Sequence, residues 1–143
     1  MSITLDHTIV PAHDKVASAQ FFARLFGLSY DGLVGPFAPV RINETLTLDF
    51  DDRRKPQEVH HYAFHVGEDE FDAIFTRVKE AGLTYGSAPW SLDDMKVHEG
   101  ERGRRVYFRD LANHLLEIRT IPSLEEMRGM TSSSEKRKAN EER

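Results

Sequence analysis

The sequence predicts an α+β protein made of two βαβββ modules, whose eight strands form a curved sheet around a cleft with the helices on the outer face. Three observations carry this. A strand–helix–three-strand order reads once along residues 1–52 and again along 59–121. Each helical segment bears one apolar stripe and stops at a glycine. The strand segments alternate apolar and polar residues, so each has one face for the helix and one left over.

Residues 3–10, ITLDHTIV, are apolar and β-branched and open the first module as a strand. In HDKVASAQFFARLFGL, Val16, Ala19, Phe22, Leu25 and Phe26 recur at helical spacing, with Asp14 as the expected N-cap and Gly27 as the stop. LSYDGL, FAPVRI and TLTLDF are the next three strands, punctuated by Gly and Pro. A polar linker, 53–58, follows. HHYAFHV then reads as a strand, and EDEFDAIFTRVKEAG as a helix with Phe71, Ile74, Phe75 and Val78 on one face and Gly82 as its stop. LTYGSAP, RRVYF and HLLEIRTI complete the second module. Residues 122–143 are polar and charged, the composition of a flexible tail.

Composition narrows the function classes. The chain has 143 residues, 39% hydrophobic and 30% charged, as in a soluble globular protein. A net charge of −5 argues against nucleic-acid binding, which calls for a basic face. No apolar run approaches the roughly 20 residues of a membrane span, and MSITLDHTIV lacks the regions of a signal peptide. A cytoplasmic protein with neither membrane nor nucleic acid as partner is expected. With no cysteine, any metal must be held by His, Asp or Glu.

Strand parity decides which side chains meet. Tyr62, Phe64 and Val66 face the helix, which turns His61, Ala63 and His65 to the other side. Leu116 and Ile118 likewise leave Leu115, Glu117 and Arg119 opposite, and Leu46, Leu48 and Phe50 leave Thr45, Thr47 and Asp49. Leu5, His7 and Ile9 share one face of the first strand. If the helix-free faces curve around one cleft, His7, His61 and Glu117 project into it from three strands. Two imidazoles and a carboxylate with open positions make the facial triad of non-haem iron, which also holds Zn, Mn, Co or Ni. The plainer alternative is a hydrogen-bonded structural role for each histidine and an ion pair for Glu117.

The stretches LDHTIV, DKVASAQFFARLFGL, HHYAFHV, FDAIFTRVKEAGL and GRRVYFRDLANHLLEI resemble the vicinal-oxygen-chelate superfamily over about residues 3–121. That superfamily comprises glyoxalase I, extradiol dioxygenases, fosfomycin-resistance enzymes and bleomycin-type resistance proteins. The last stretch, similar to the family's YFxDPxGxxxE hairpin, is the most specific. The resemblance implies one divalent ion (Fe, Mn, Zn, Ni or Co) on His7, His61 and Glu117. It makes His65 a pocket-wall residue, puts Arg119 with it on the substrate, and leaves His60 a bystander. Asp49 stands where glyoxalase I has a fourth ligand, a glutamate, and as the shorter acid could work through water or as a base. His98, Tyr107 and Glu117 match the spacing of the extradiol dioxygenase signature. Leu111 replaces its proline, Asn113 its glycine and Lys96 its first residue, and Thr47 lies where those enzymes have an upstream acid–base histidine.

The expected function is therefore a metal-dependent enzyme on a small molecule with adjacent oxygens, extradiol-dioxygenase-like in chemistry. A glyoxalase-like isomerase or lyase and a non-catalytic, bleomycin-type drug binder are the alternatives. In the last of these Trp90, Phe37 and Tyr107 would line the groove, or else serve as ordinary packing. Open sheet edges and the superfamily's habit of symmetric pairing imply a homodimer, whose sites could draw ligands from two subunits.

Overall fold

Asp14 and Gly27 bracket the first helix as expected: the Asp14 carboxylate accepts from the Ala17 N–H at 3.1 Å, and Gly27 ends the helix at φ 69°. This is seen in a computed structural model that describes residues 2–55 and 58–122; the tail expected over 122–143 falls, but for its first residue, outside the described residues. The order is β1 (His7–Pro11), α1 (Lys15–Phe26), β2 (Ala38–Arg41), β3 (Thr47–Asp51), β4 (His61–His65), α2 (Glu68–Glu80), β5 (Tyr85–Gly86), β6 (His98–Gly100), β7 (Gly103–Arg109) and β8 (Leu115–Arg119). The first turn of α2 carries Glu68, Asp69 and Glu70, favourable at the positive end of the helix dipole, and Glu70 accepts from the Gly67 N–H at 3.4 Å. No described helix is long and apolar enough to cross a membrane.

Among the described residues there are two helices and eight strands, as the α+β reading requires, and the strands divide into sheets of three and five. The first sheet runs β1-β3-β2, with β1 parallel and β2 antiparallel to β3. The second runs β4-β8-β7-β5, with β6 also on β7. Four segments depart from expectation. LSYDGL forms no strand, because Gly32 within it takes φ of 100°, outside the extended region. The opening strand begins at His7, since the ladder to β3 ends there and the Thr47 N–H closes it on the Asp6 carbonyl at 2.9 Å. LTYGSAP shortens to Tyr85–Gly86, and His98–Gly100, expected as loop, pairs with β7 instead.

The β7–β8 hairpin turns as its sequence implies. Asn113 adopts φ 64° in the glycine position, and the buried Asp110 carboxylate accepts from the Ala112 and His114 N–H groups at 3.0 and 2.8 Å.

One apolar core joins both modules. Phe71, Ile74 and Val78 of α2 are buried with Phe22 and Leu25 of α1, and Phe75 packs against them. The Phe22 ring stacks on Phe26 at 4.1 Å and meets Phe50 of the first sheet at 6.0 Å and Phe64 of the second at 5.6 Å. Parity holds throughout: Val10, Val40, Leu48, Phe50, Val106, Phe108, Leu116 and Ile118 enter this core. The opposite faces of both sheets are thereby left to whatever the remaining residues can do.

Candidate metal centre

The register of the second sheet sets its helix-free face out in rows. Residues directly paired across strands present their side chains on the same side, so one row reads Ala63, Glu117, Tyr107, Gly86. The row on one side holds His61, Leu115 and Arg109; the row on the other holds His65, Arg119, Arg105 and His98. Glu117 is the centre of this face. It is 2% exposed, a carboxylate among apolar strands, and three groups converge on it. His61 Nε2 lies 3.0 Å from Oε1, the Arg119 guanidinium donates to Oε2 at 3.3 Å, and Tyr107, its direct cross-strand partner, feels the Glu117 charge. Burial, then the Glu117 charge, push the Tyr107 hydroxyl above its ordinary pKa and hold it as a hydrogen-bond donor. An unpaired carboxylate in such a place would be costly.

The other expected residues sit on the first sheet. His7 is exposed at its strand entry, with Nδ1 2.8 Å from Asp6, and that bond, aided by the charges of Asp6 and Asp49, raises its pKa. Asp49 pairs with Ile9 in register, on the face that His7 shares. Cavities of about 540 Å³ (Ile9, Pro11, Asp51, Arg53, Arg54) and 290 Å³ (with Asp6, His7, Phe37 and Asp49 in its lining) open on this sheet, away from Glu117. Among the described residues no three His, Asp or Glu come together as a metal site. One chain thus brings His61, Glu117, Tyr107 and Arg119 together, places His65 and His98 in the adjoining row, and keeps His7 and Asp49 apart from them.

Two donor atoms about 2.1 Å from one ion and at right angles stand about 3 Å apart. The His61–Glu117 separation of 3.0 Å fits that, as do the imidazole and carboxylate donors themselves. These two residues therefore suit a divalent ion and leave it short of one protein ligand.

Three features escaped the sequence reading. His114 is fully buried, its Nδ1 accepting from the His60 N–H at 2.9 Å while Nε2 donates to the Pro11 carbonyl at 2.7 Å. That neutral ring ties the entry of β4 to the end of β1. Gly86 leaves room for chain: a Cβ there would stand 1.9 Å from the Ser91 carbonyl oxygen, so residues 91–92 cross the sheet face beside Tyr107. A turn closed by the Ser91 N–H on the Ala88 carbonyl then holds Trp90 83% exposed, so it is neither core nor packing. Arg105, finally, could have been placed by its parity with Tyr107. Its row needed the register, which no short motif supplies.

No family model matches the chain. Among curated proteins it is 30% identical over 121 residues to a glutathione transferase FosA of Serratia marcescens, covering 80% of this chain and 79% of that one. It is 36% identical over 72 residues to a metallothiol transferase FosB of Shouchella clausii (strain KSM-K16), a match spanning 50% of this chain and 45% of the relative. Among solved structures, oxidase ChaP-H2 is 46% identical with a TM-score of 0.81, over 87% of this chain and 98% of that one.

Proposed function

The chain belongs to the vicinal-oxygen-chelate superfamily, and from that premise we propose that it is a divalent-metal-dependent enzyme acting on a small molecule with two adjacent oxygens, with extradiol-dioxygenase-like chemistry. The observation that carries this is the buried Glu117 carboxylate with His61 3.0 Å away on an open sheet face. His61 and Glu117 would hold the ion, with His7 of a second copy as the third ligand. The homodimer is part of the proposal, because the His7 face and the Glu117 face belong to different sheets of one chain. Once bound, the ion supplies Lewis acidity toward two neighbouring substrate oxygens. Tyr107 donates a hydrogen bond to one of those oxygens. Arg119 and His65 orient the substrate, and His98 stands at the rim as a proton carrier.

Metal content tests this directly. Protein purified without added metal should carry close to one divalent ion per chain, and His61→Ala at most a few per cent of that. Equal retention by the two proteins would remove His61 from the centre. Light scattering at micromolar concentration should give twice the chain mass, and a monomer mass contradicts the shared site.

The proximity of Asp49 to His7 favours a second function, a glyoxalase-like isomerase in which Asp49 moves a proton beside the substrate carbonyl. Asp49→Asn separates the two. For the dioxygenase-like enzyme its metal content stays unchanged, whereas Tyr107→Phe lowers turnover of a catechol about a hundredfold, as for loss of one donor to developing charge. For the isomerase, Asp49→Asn loses metal or hemithioacetal turnover and Tyr107→Phe matters little.

A further inference from the structure

Arg105 and Arg119 are direct cross-strand partners on the helix-free face of the second sheet. Like charges so placed repel and ordinarily destabilise a sheet. The pair is extended at both ends, by His98 opposite Arg105 on β6 and by His65 opposite Arg119 on β4. Four basic side chains therefore lie in line across four strands, a span of about 14 Å at the usual strand spacing. The next residue of β6, Glu99, pairs with Arg104 and turns to the opposite face, so it does not interleave with the row. Among the described residues Arg119 has Glu117 as its carboxylate partner. Arg105 differs: its Nε is buried and has no hydrogen-bond partner among the described residues. A buried guanidinium N–H without an acceptor beside a second guanidinium is an arrangement that an anion would satisfy twice, in hydrogen bonding and in charge.

The row lies two residues along the strands from Glu117 and Tyr107, about 7 Å at the rise of a β-strand. Both arginines are close enough to Tyr107 for their charges to act on its hydroxyl. Row and metal centre are thus parts of one surface.

We propose that Arg105, Arg119 and His65 form an oxyanion subsite, with His98 at its rim, which takes a carboxylate- or phosphate-class group on the same substrate whose adjacent oxygens reach the His61–Glu117 centre. The proposal rests on the metal-centred function above and adds to it that the substrate is anionic, with its charge taken up one row along the strands from Glu117, on the side away from His61. Planar guanidinium groups carried by directly paired residues of neighbouring strands suit a two-oxygen acceptor better than a single-point one. Arg105 is the specificity residue, since Arg119 is already held by Glu117.

The test is calorimetric titration of the zinc-loaded protein with 3,4-dihydroxybenzoate and with catechol, which share the adjacent oxygens and differ in the carboxylate. The wild type should bind the carboxylate at least about tenfold more tightly, a difference of about 1.4 kcal/mol. Arg105→Gln should equalise the two probes with zinc affinity unchanged, and Arg105→Lys should restore part of the preference by keeping the charge. Equal affinities in the wild type, or an undiminished preference in Arg105→Gln, overturn the subsite and leave the metal centre standing. If the wild type does not hold zinc, the metal-centred function fails instead. The row is then judged on metal-free protein by thermal melting with inorganic phosphate: stabilisation lost in Arg105→Gln supports it, and no shift, or the same shift in both proteins, overturns it.

Discussion

Mixing His7→Ala chains with Glu117→Ala chains is expected to restore metal binding that neither variant has alone. In each homodimer of a variant, both sites lack a ligand, and loss of a direct ligand should weaken binding by more than the roughly 10–100-fold that follows loss of an outer-shell partner. A mixed dimer is different. One of its sites combines both defects, and the other combines an intact His7 with an intact His61 and Glu117. With random pairing half of the dimers are mixed, so about a quarter of the wild-type sites should return. The check is metal content after the two chains are unfolded and refolded together, with each variant refolded alone as the reference. Failure to exceed the sum of the separate variants would show that His7 does not complete the site of a partner. The experiment tolerates modest damage from either substitution, since neither His7 nor Glu117 belongs to the apolar core.

Phe22→Ala should have the largest effect on stability, about 3–5 kcal/mol. The ring is 1% exposed and touches Phe26 on its own helix, Phe50 on the first sheet and Phe64 on the second. Truncation therefore opens a cavity at the junction of both modules, where neither can collapse to fill it without dragging the other. Against a typical total of about 5–15 kcal/mol, this takes a large fraction of what holds the chain folded. Urea unfolding should show a lower midpoint with a single transition retained. A loss below about 1 kcal/mol would mean that the two sheets do not depend on this contact.

Periodicity and punctuation made much of this legible in the sequence. Helix limits at Asp14, Gly27 and Gly82 are local chemistry, written in residues that cap or stop helices whatever surrounds them. Strand faces followed from alternation, which correctly turned His61 and Glu117 away from the core and toward each other. Short strands were another matter. LTYGSAP reads as a strand but a longer one than forms, whereas His98–Gly100 exists because β7 offers it an edge, and nothing in three residues announces a distant partner. The same limit hid the basic row, since Arg105 and Arg119 become neighbours only through the β7–β8 register. His114 was invisible for a related reason. Its two acceptor and donor partners are backbone groups, and backbone carries no sequence signal.

The turn over Gly86 gives the protein a built-in lamp. Trp90 is the only tryptophan in the chain, and it is held in water at the tip of a turn anchored by Pro89 and the Ala88–Ser91 bond. The anchor extends inward: the Asp94 carboxylate accepts from the Ser87 and Lys96 N–H groups at 3.0 Å each, and the Met95 N–H donates to the Tyr85 carbonyl at 2.9 Å. An indole on so short a tether cannot wander far from the sheet face beside Tyr107. Whatever settles on that face, a substrate or a second chain, alters the colour and brightness of a single emitter, and no other indole is present to blur the signal.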